Sequence, residues 1–250
     1  MSRTCELTGK AVLITGGKRI GASAALAFAE RGAHVAVVFN RSAAEAERTV
    51  GEVRRRGVRG AALQADLSVA DACDTAVHQA AEVLGGLDIL VNMASVYRPV
   101  ALDDTDAAVW DATVNVDLRA AFLCSRAAIP YMRRAGGGRI VNFSDWVAAS
   151  GRPRYEKFLP YFVAKRGVIG LTEALALELA SDGILVNAIA PGPIVAPEGT
   201  TDKEIKAVEA ATPLGRWGGE GEIVNALLYL IQADFVTGET LRVDGGRHIK

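Results

Sequence analysis

Short, nearly all-apolar runs alternate along this chain with longer amphipathic stretches. Ala11 to Thr15 (AVLIT) is such a run and ends in glycines; Ile20 to Arg31 then changes to helical spacing, with Ile20, Ala24, Ala27 and Phe28 on one side. Further strands are expected at His34 to Phe39, Gly60 to Ala65, Leu87 to Ala94, Arg139 to Asp145, Ile184 to Ala190 and Leu241 to Val243. Helices are expected at Ala43 to Arg56, Val69 to Leu84, Ala107 to Arg134, around Tyr161 and Lys165, near Asp202 to Ala210, and at Gly221 to Ala233. Apolar strands alternating with helices imply a single α/β domain over residues 1–250, with a doubly wound parallel sheet of about seven strands covered on both faces. Ligands bind such sheets beyond the carboxyl ends of the strands, where the winding reverses.

Half of the 250 residues are hydrophobic, enough for a sizeable core, and a net charge of −1 offers no field to gather nucleic acid or an anionic membrane. The longest apolar runs, such as Ala226 to Ile231, fall short of the roughly 18 residues of a membrane span. MSRTCELTGK lacks the apolar region of a signal peptide, so a cytosolic location is expected. Cys5, Cys73 and Cys124 are odd in number and widely separated, and His34, His78 and His248 are scattered; neither a disulfide framework nor a metal centre is expected.

Tyr161 and Lys165 stand four apart on one helix, slightly more than one turn, so phenol and ammonium share a face. An ammonium beside a phenol stabilises the phenolate and would lower the tyrosine pKa from about 10 toward working pH. Tyr155 has only Leu159 at that offset. The blander alternative makes Tyr161 a packing residue and Lys165 a solvated charge.

Thr15-Gly16-Gly17-Lys18-Arg19-Ile20-Gly21 joins the first strand to the first helix. Glycines let the backbone approach a pyrophosphate closely, and a helix N-terminus offers unpaired N–H groups; a tight connection without a ligand is the alternative. After the second strand come Asn40, Arg41 and Ser42, with Lys18 and Arg19 across the turn and no carboxylate before Glu45. A ribose lacking a 2′-phosphate is usually held here by an acid, whereas the phosphate needs cations and hydroxyls, so NADP(H) is favoured over NAD(H). The other reading is a solvated Arg41 with Ser42 as a helix N-cap. Asp66, followed by Leu67, suits the adenine amino group or else caps the next helix.

With Asn92-Met93-Ala94-Ser95, Val114-Asn115-Val116, Pro191-Gly192 and Val243-Asp244-Gly245-Gly246, these motifs follow one another in the order of the short-chain dehydrogenase/reductase family, which the chain resembles almost end to end. The resemblance implies a Rossmann-type fold whose cofactor lies against Gly16, Ile20, Leu67, Asn92, Ala94, Pro191 and Gly192. It implies Tyr161 as general acid, Lys165 as the holder of the nicotinamide ribose, and Asn115 as the support of a proton-relay water. A homotetramer, or at least a dimer, packed through the helices of Asn115 and Lys165 is implied too.

Three departures bear on substrate. The glycine turn is one residue shorter than usual, with Arg19 at the middle glycine; Asn-Asn-Ala-Gly becomes Asn92-Met93-Ala94-Ser95; and the catalytic-serine position holds Asp145, with Ser144 expected on the other side of the strand. They resemble the pteridine reductase branch, which implies that Arg19, Ser95, Asp145 and Tyr161 face the substrate and that Tyr97 forms an aromatic wall. A carboxylate would repel a developing oxyanion but suits a nitrogen that must gain positive character. The leading expectation is an NADPH-dependent reductase of a C=N bond in a pterin, dihydropterin or cyclic imine, with protons delivered by Tyr161 and Asp145. The alternative is a 3-oxoacyl-thioester or other carbonyl reductase, and the third reading a catalytically silent NADP-binding oligomer. Asp145 pairing only with Arg152 or Arg154 would remove it from the chemistry. Trp110 and Trp146 suit either core or pocket, and 193–212 reads as a lid over the substrate.

Overall fold

The computed structural model describes residues 6–151, 153–197 and 199–250, so Cys5 and Arg152 lie outside the described residues. Seven parallel strands form one sheet: β1 (Ala11–Thr15), β2 (His34–Phe39), β3 (Gly60–Gln64), β4 (Ile89–Asn92), β5 (Gly138–Phe143), β6 (Ile184–Pro191) and β7 (Thr240–Val243). Their order is β3-β2-β1-β4-β5-β6-β7. The chain therefore winds outward from β1 in one direction and from β4 in the other. That reversal opens a crevice above the carboxyl ends of β1 and β4, where Thr15 lies opposite both Val38 and Asn92.

Alternation along β1 builds two cores. Ala11 and Leu13 join one cluster with α3 (Ala70–Leu84), α5 (Ala120–Arg134) and α7 (Leu159–Leu179); Val12 and Ile14 join the other with α1 (Ile20–Ala29), α2 (Ala43–Arg55) and α9 (Glu220–Gln232). All four side chains are buried, each contributing about 1.5–3 kcal/mol where a large aliphatic is fully enclosed. Such rigid strands fix the crevice floor. Among the described residues no helix is long and apolar enough to cross a membrane.

Two expected elements end differently, and both differences reach the crevice. The single helix expected over Ala107 to Arg134 is α4 (Ala107–Val114), a π-helical turn (Asn115–Arg119) and then α5. The wider π turn changes which side chains face inward: Asp117 is buried and Asn115 is not. Strand β5 stops at Phe143, and Asp145 leaves it to cap the short helix α6 (Trp146–Ala149), accepting from the Val147 N–H at 2.7 Å. A last short helix, α8 (Asp202–Ala210), carries a Thr201/Glu204 capping box and lies in the segment expected as a lid.

Candidate active site

A cavity of about 920 Å³ opens above the strand ends. Its phosphate end is shaped by glycines. A Cβ on Gly21 would stand 2.0 Å from the Gly16 carbonyl oxygen, and one on Gly17 would stand 2.3 Å from Val37 Cγ1. No side chain caps α1; the Gly21 N–H donates to the Lys18 carbonyl at 2.9 Å, and the helix begins at Ile20 on the crevice lining. This surface fits a dinucleotide pyrophosphate.

Arg19 holds φ at 50°, a conformation that costs a residue with a Cβ about 1–3 kcal/mol. Its Nη2 crosses the crevice to donate to the carbonyls of Val195 (2.9 Å) and Ala196 (3.1 Å). Arg19 therefore ties the glycine turn to the segment after β6 through one guanidinium nitrogen while lining the crevice.

Ile20, Asn40, Ser42, Leu67, Ala94, Pro191 and Gly192 line the crevice as expected, and Lys18 does so while paired with Glu45 at 3.1 Å. Ser42 makes no capping bond to α2. Arg41 stands outside the lining and acts on Asp66, whose pKa is lowered chiefly by hydrogen bonds from Ser68. Asp66 Oδ1 accepts from the Ser68 N–H (2.9 Å) and hydroxyl (2.7 Å), the local-turn alternative, while remaining on the crevice wall.

Asn92 is a correction. Strand alternation turns it beneath the crevice, where Nδ2 lies within donating distance of Asn142 Oδ1 (2.9 Å), Ser125 Oγ (3.1 Å) and the Ala121 carbonyl (3.3 Å). Its side chain organises the buried floor and is not part of the crevice lining.

On that floor the Tyr161 hydroxyl donates to Asp145 Oδ2 at 3.1 Å. One turn along α7, buried Lys165 donates to the Phe143 carbonyl at 3.0 Å and pairs with Asp117 Oδ1 at 3.1 Å. Asp117 also accepts from the Val96 N–H at 2.8 Å and from the Ser95 hydroxyl. Ser95 thus lines the crevice but is committed to Asp117. Asn115 lines neither the crevice nor the small void behind it, and the place expected for its side chain is taken by Asp117. A carboxylate between Val116 and Leu118 is the sequence signal that could have pointed to it.

The electrostatics reverse one expectation. Burial of Tyr161, followed by the charges of Asp145 and Asp117, pushes its pKa well above the ordinary phenol value rather than below it. Lys165 stands 5.6 Å from the Tyr161 ring centroid, but Asp117 answers its charge. Burial also raises Asp145, against the opposing hydrogen bonds from Val147 and Tyr161 and the charge of Lys165. Ser144 faces α7, donating to the Lys165 carbonyl at 2.9 Å.

An aromatic wall leads away from Tyr161. Tyr97 stacks on Phe158 with centroids 4.6 Å apart and meets Tyr161 edge-on at 5.0 Å; burial pushes its pKa up to about 12. Trp146 lines the pocket and Trp110 does not. Arg154 donates to the Lys250 carbonyl at 2.8 Å, so it makes no pair with Asp145. Pro193, Ile194, Thr200 and Val208 of the 193–212 segment complete the mouth.

Residues 16–248 match a family model described as Enoyl-(Acyl carrier protein) reductase. The chain is 38% identical over 245 residues to the 3-oxoacyl-[acyl-carrier-protein] reductase FabG of Staphylococcus aureus, covering 96% of this chain and 98% of that protein. It is 40% identical over 251 residues to the (2S)-[(R)-hydroxy(phenyl)methyl]succinyl-CoA dehydrogenase subunit BbsD of Thauera aromatica, covering 97% and 98%. A short chain dehydrogenase from Burkholderia cenocepacia J2315, solved in complex with NADP, superposes with a TM-score of 0.90 at 34% identity, covering 97% of this chain and 99% of that one. The first two relatives are named for chemistry at a carbon–oxygen bond of a thioester-linked acyl group. These likenesses overturn the expected C=N reduction and lend no support to the pteridine reductase branch.

Proposed function

Because the chain belongs to the short-chain dehydrogenase/reductase family, we propose that it is an NADP(H)-dependent enzyme interconverting a 3-oxoacyl thioester and its 3-hydroxyacyl counterpart. The observation that carries this reading is the 3.1 Å bond between Tyr161 and Asp145 on the crevice floor. It joins a phenol that holds its proton to a carboxyl whose burial favours the neutral form.

When bound, the nicotinamide supplies a hydride from its C4 to the carbonyl carbon and is itself oxidised. Tyr161 gives its phenolic proton to the oxygen, completing the alcohol. Asp145 in its protonated form returns a proton to Tyr161 along their shared bond and is reprotonated from solvent. Burial shifts Asp145 toward that form, which lessens the repulsion a carboxylate would exert on the developing oxyanion. Lys165, held by Asp117 and the Phe143 carbonyl, would hold the nicotinamide ribose beside Tyr161 on the same face of α7. Asn40, Ser42 and Lys18 receive the 2′-phosphate at an end of β2 with no carboxylate of its own. The segment 193–212 closes over the acyl group, tied through Arg19.

Following NADPH absorbance with an acetoacetyl thioester, and with dihydrobiopterin alongside, tests the reading. Thioester turnover to the 3-hydroxy product, identified by mass, supports it; turnover of the pterin alone overturns it.

A further inference from the structure

At the end of the crevice away from the glycine turn stands an arginine that pairs with no acid among the described residues. Arg247 begins the short turn Arg247–Ile249 after β7, is half-buried and lines the cavity. Its Nη1 donates to the Val208 carbonyl (3.0 Å) and the Thr212 hydroxyl (3.3 Å), both neutral. None of the ion pairs among the described residues includes it. Asp244, three residues earlier, is committed to His248 Nδ1 (2.7 Å) and to the N–H groups of Gly246 (2.9 Å) and His248 (3.0 Å). Glu204, on the same lining, is engaged by the Thr201 N–H (2.8 Å) and hydroxyl (2.7 Å).

The position relative to the chemistry is close. The Arg247 guanidinium lies 5.4 Å from the ring centroid of Trp146, the residue directly after Asp145. Its charge also reaches Tyr155, opposing the rise that burial imposes on that phenol. A half-buried cation with only neutral partners has lost hydration that they do not fully restore, and an anion arriving with substrate restores it through charge-assisted hydrogen bonds. Trp146 and Tyr155 meet edge-on at 6.1 Å, and both line the same cavity as Tyr161 and Arg247.

Building on the thioester reading, we propose that Arg247 is a specificity-determining residue that binds an anionic oxygen group of the substrate. Its place beside Trp146 assigns that group to the acyl portion, as a carboxylate; a phosphate of the thiol carrier presents the same chemistry. The enzyme thereby selects 3-oxoacyl thioesters whose acyl chain carries a second acid.

Two 3-oxoacyl thioesters of N-acetylcysteamine, a carrier without phosphate, separate the possibilities: one ends in a carboxylate, the other in its methyl ester. Wild-type enzyme is expected to favour the carboxylate by about tenfold or more in kcat/KM, as one charge-assisted pair warrants. Arg247→Gln is expected to bring that ratio toward one, and Arg247→Lys to restore part of it. A large advantage of the coenzyme A thioester over the N-acetylcysteamine thioester, lost in Arg247→Gln, assigns the anion to the carrier phosphate. Equal wild-type rates for acid and ester with no carrier effect overturn the proposal, and that comparison needs no variant. If no thioester turns over at all, it is the thioester reading that fails.

Discussion

Lys165 and Asp117 face each other across 3.1 Å beneath the crevice, with both side chains shielded from solvent. Removing one partner of such a pair leaves a buried charge unanswered, so Asp117→Ala is expected to cost about 3–5 kcal/mol in stability, read by denaturant unfolding. Asp117→Asn keeps the shape and removes the charge. Since Asp117 is one of the groups raising Tyr161, its neutralisation lowers the Tyr161 pKa. The alkaline limb of kcat/KM for carbonyl reduction then moves to lower pH; an unmoved limb would place Asp117 outside the proton chemistry.

Asp145 makes stability depend on pH in a stated direction. Its folded-state pKa is raised by burial, so the folded protein holds this proton more tightly than the unfolded chain does. The contribution is fully present below the ordinary carboxylate value of about 4 and is lost as pH rises through the raised value. Asp145→Asn should therefore gain Tm relative to wild type as pH rises across that window. A pH-independent gap in Tm would show that the carboxyl is solvated.

Cofactor choice rests on the end of β2. Ser42→Asp places a carboxylate on the crevice lining at the end of β2, where the 2′-phosphate is proposed to bind, and offers an acceptor to ribose hydroxyls. The ratio of kcat/KM for NADPH over NADH should fall by about tenfold or more, the worth of one hydrogen bond to a charged group. An unchanged ratio would mean that Ser42 does not meet the 2′-phosphate.

Gly21→Ala drives a methyl group toward the Gly16 carbonyl oxygen, only 2.0 Å from an ideal Cβ. The turn must shift, at about 1–3 kcal/mol of overpacking. Fluorescence titration should show NADPH binding weakened along with a lowered Tm; normal affinity would mean that the phosphates lie elsewhere.

Much of this was legible before any coordinates. β1 and β2 announce themselves because strands buried on both faces carry no polar stripe, and the Tyr161/Lys165 spacing alone puts both groups on one face of α7. Asp117 was hidden because the family resemblance pointed to Asn115 within Val114-Asn115-Val116, and a π turn that buries Asp117 in its stead is not visible in the sequence. The rise in the Tyr161 pKa followed it out of sight, since Lys165 looks unopposed until Asp117 is placed beside it. Asn92 was misread for a similar reason: its partners Asn142 and Ser125 come from β5 and α5, distant in the chain. The C=N expectation rested on Asp145 standing in place of the serine, and the likeness to relatives that act at a carbon–oxygen bond overturned it; a sequence shows the residue type and not its desolvation.

The pH dependence of acetoacetyl-thioester reduction, measured as kcat for wild type and Asp145→Ser, bears most directly on the Tyr161/Asp145 pair. Wild type is expected to form the 3-hydroxyacyl product with a rate that falls as pH rises through the raised Asp145 pKa. Asp145→Ser is expected to lose that inflection and keep its rate above it. Superimposable profiles for the two enzymes, or no thioester turnover by wild type, would contradict the account.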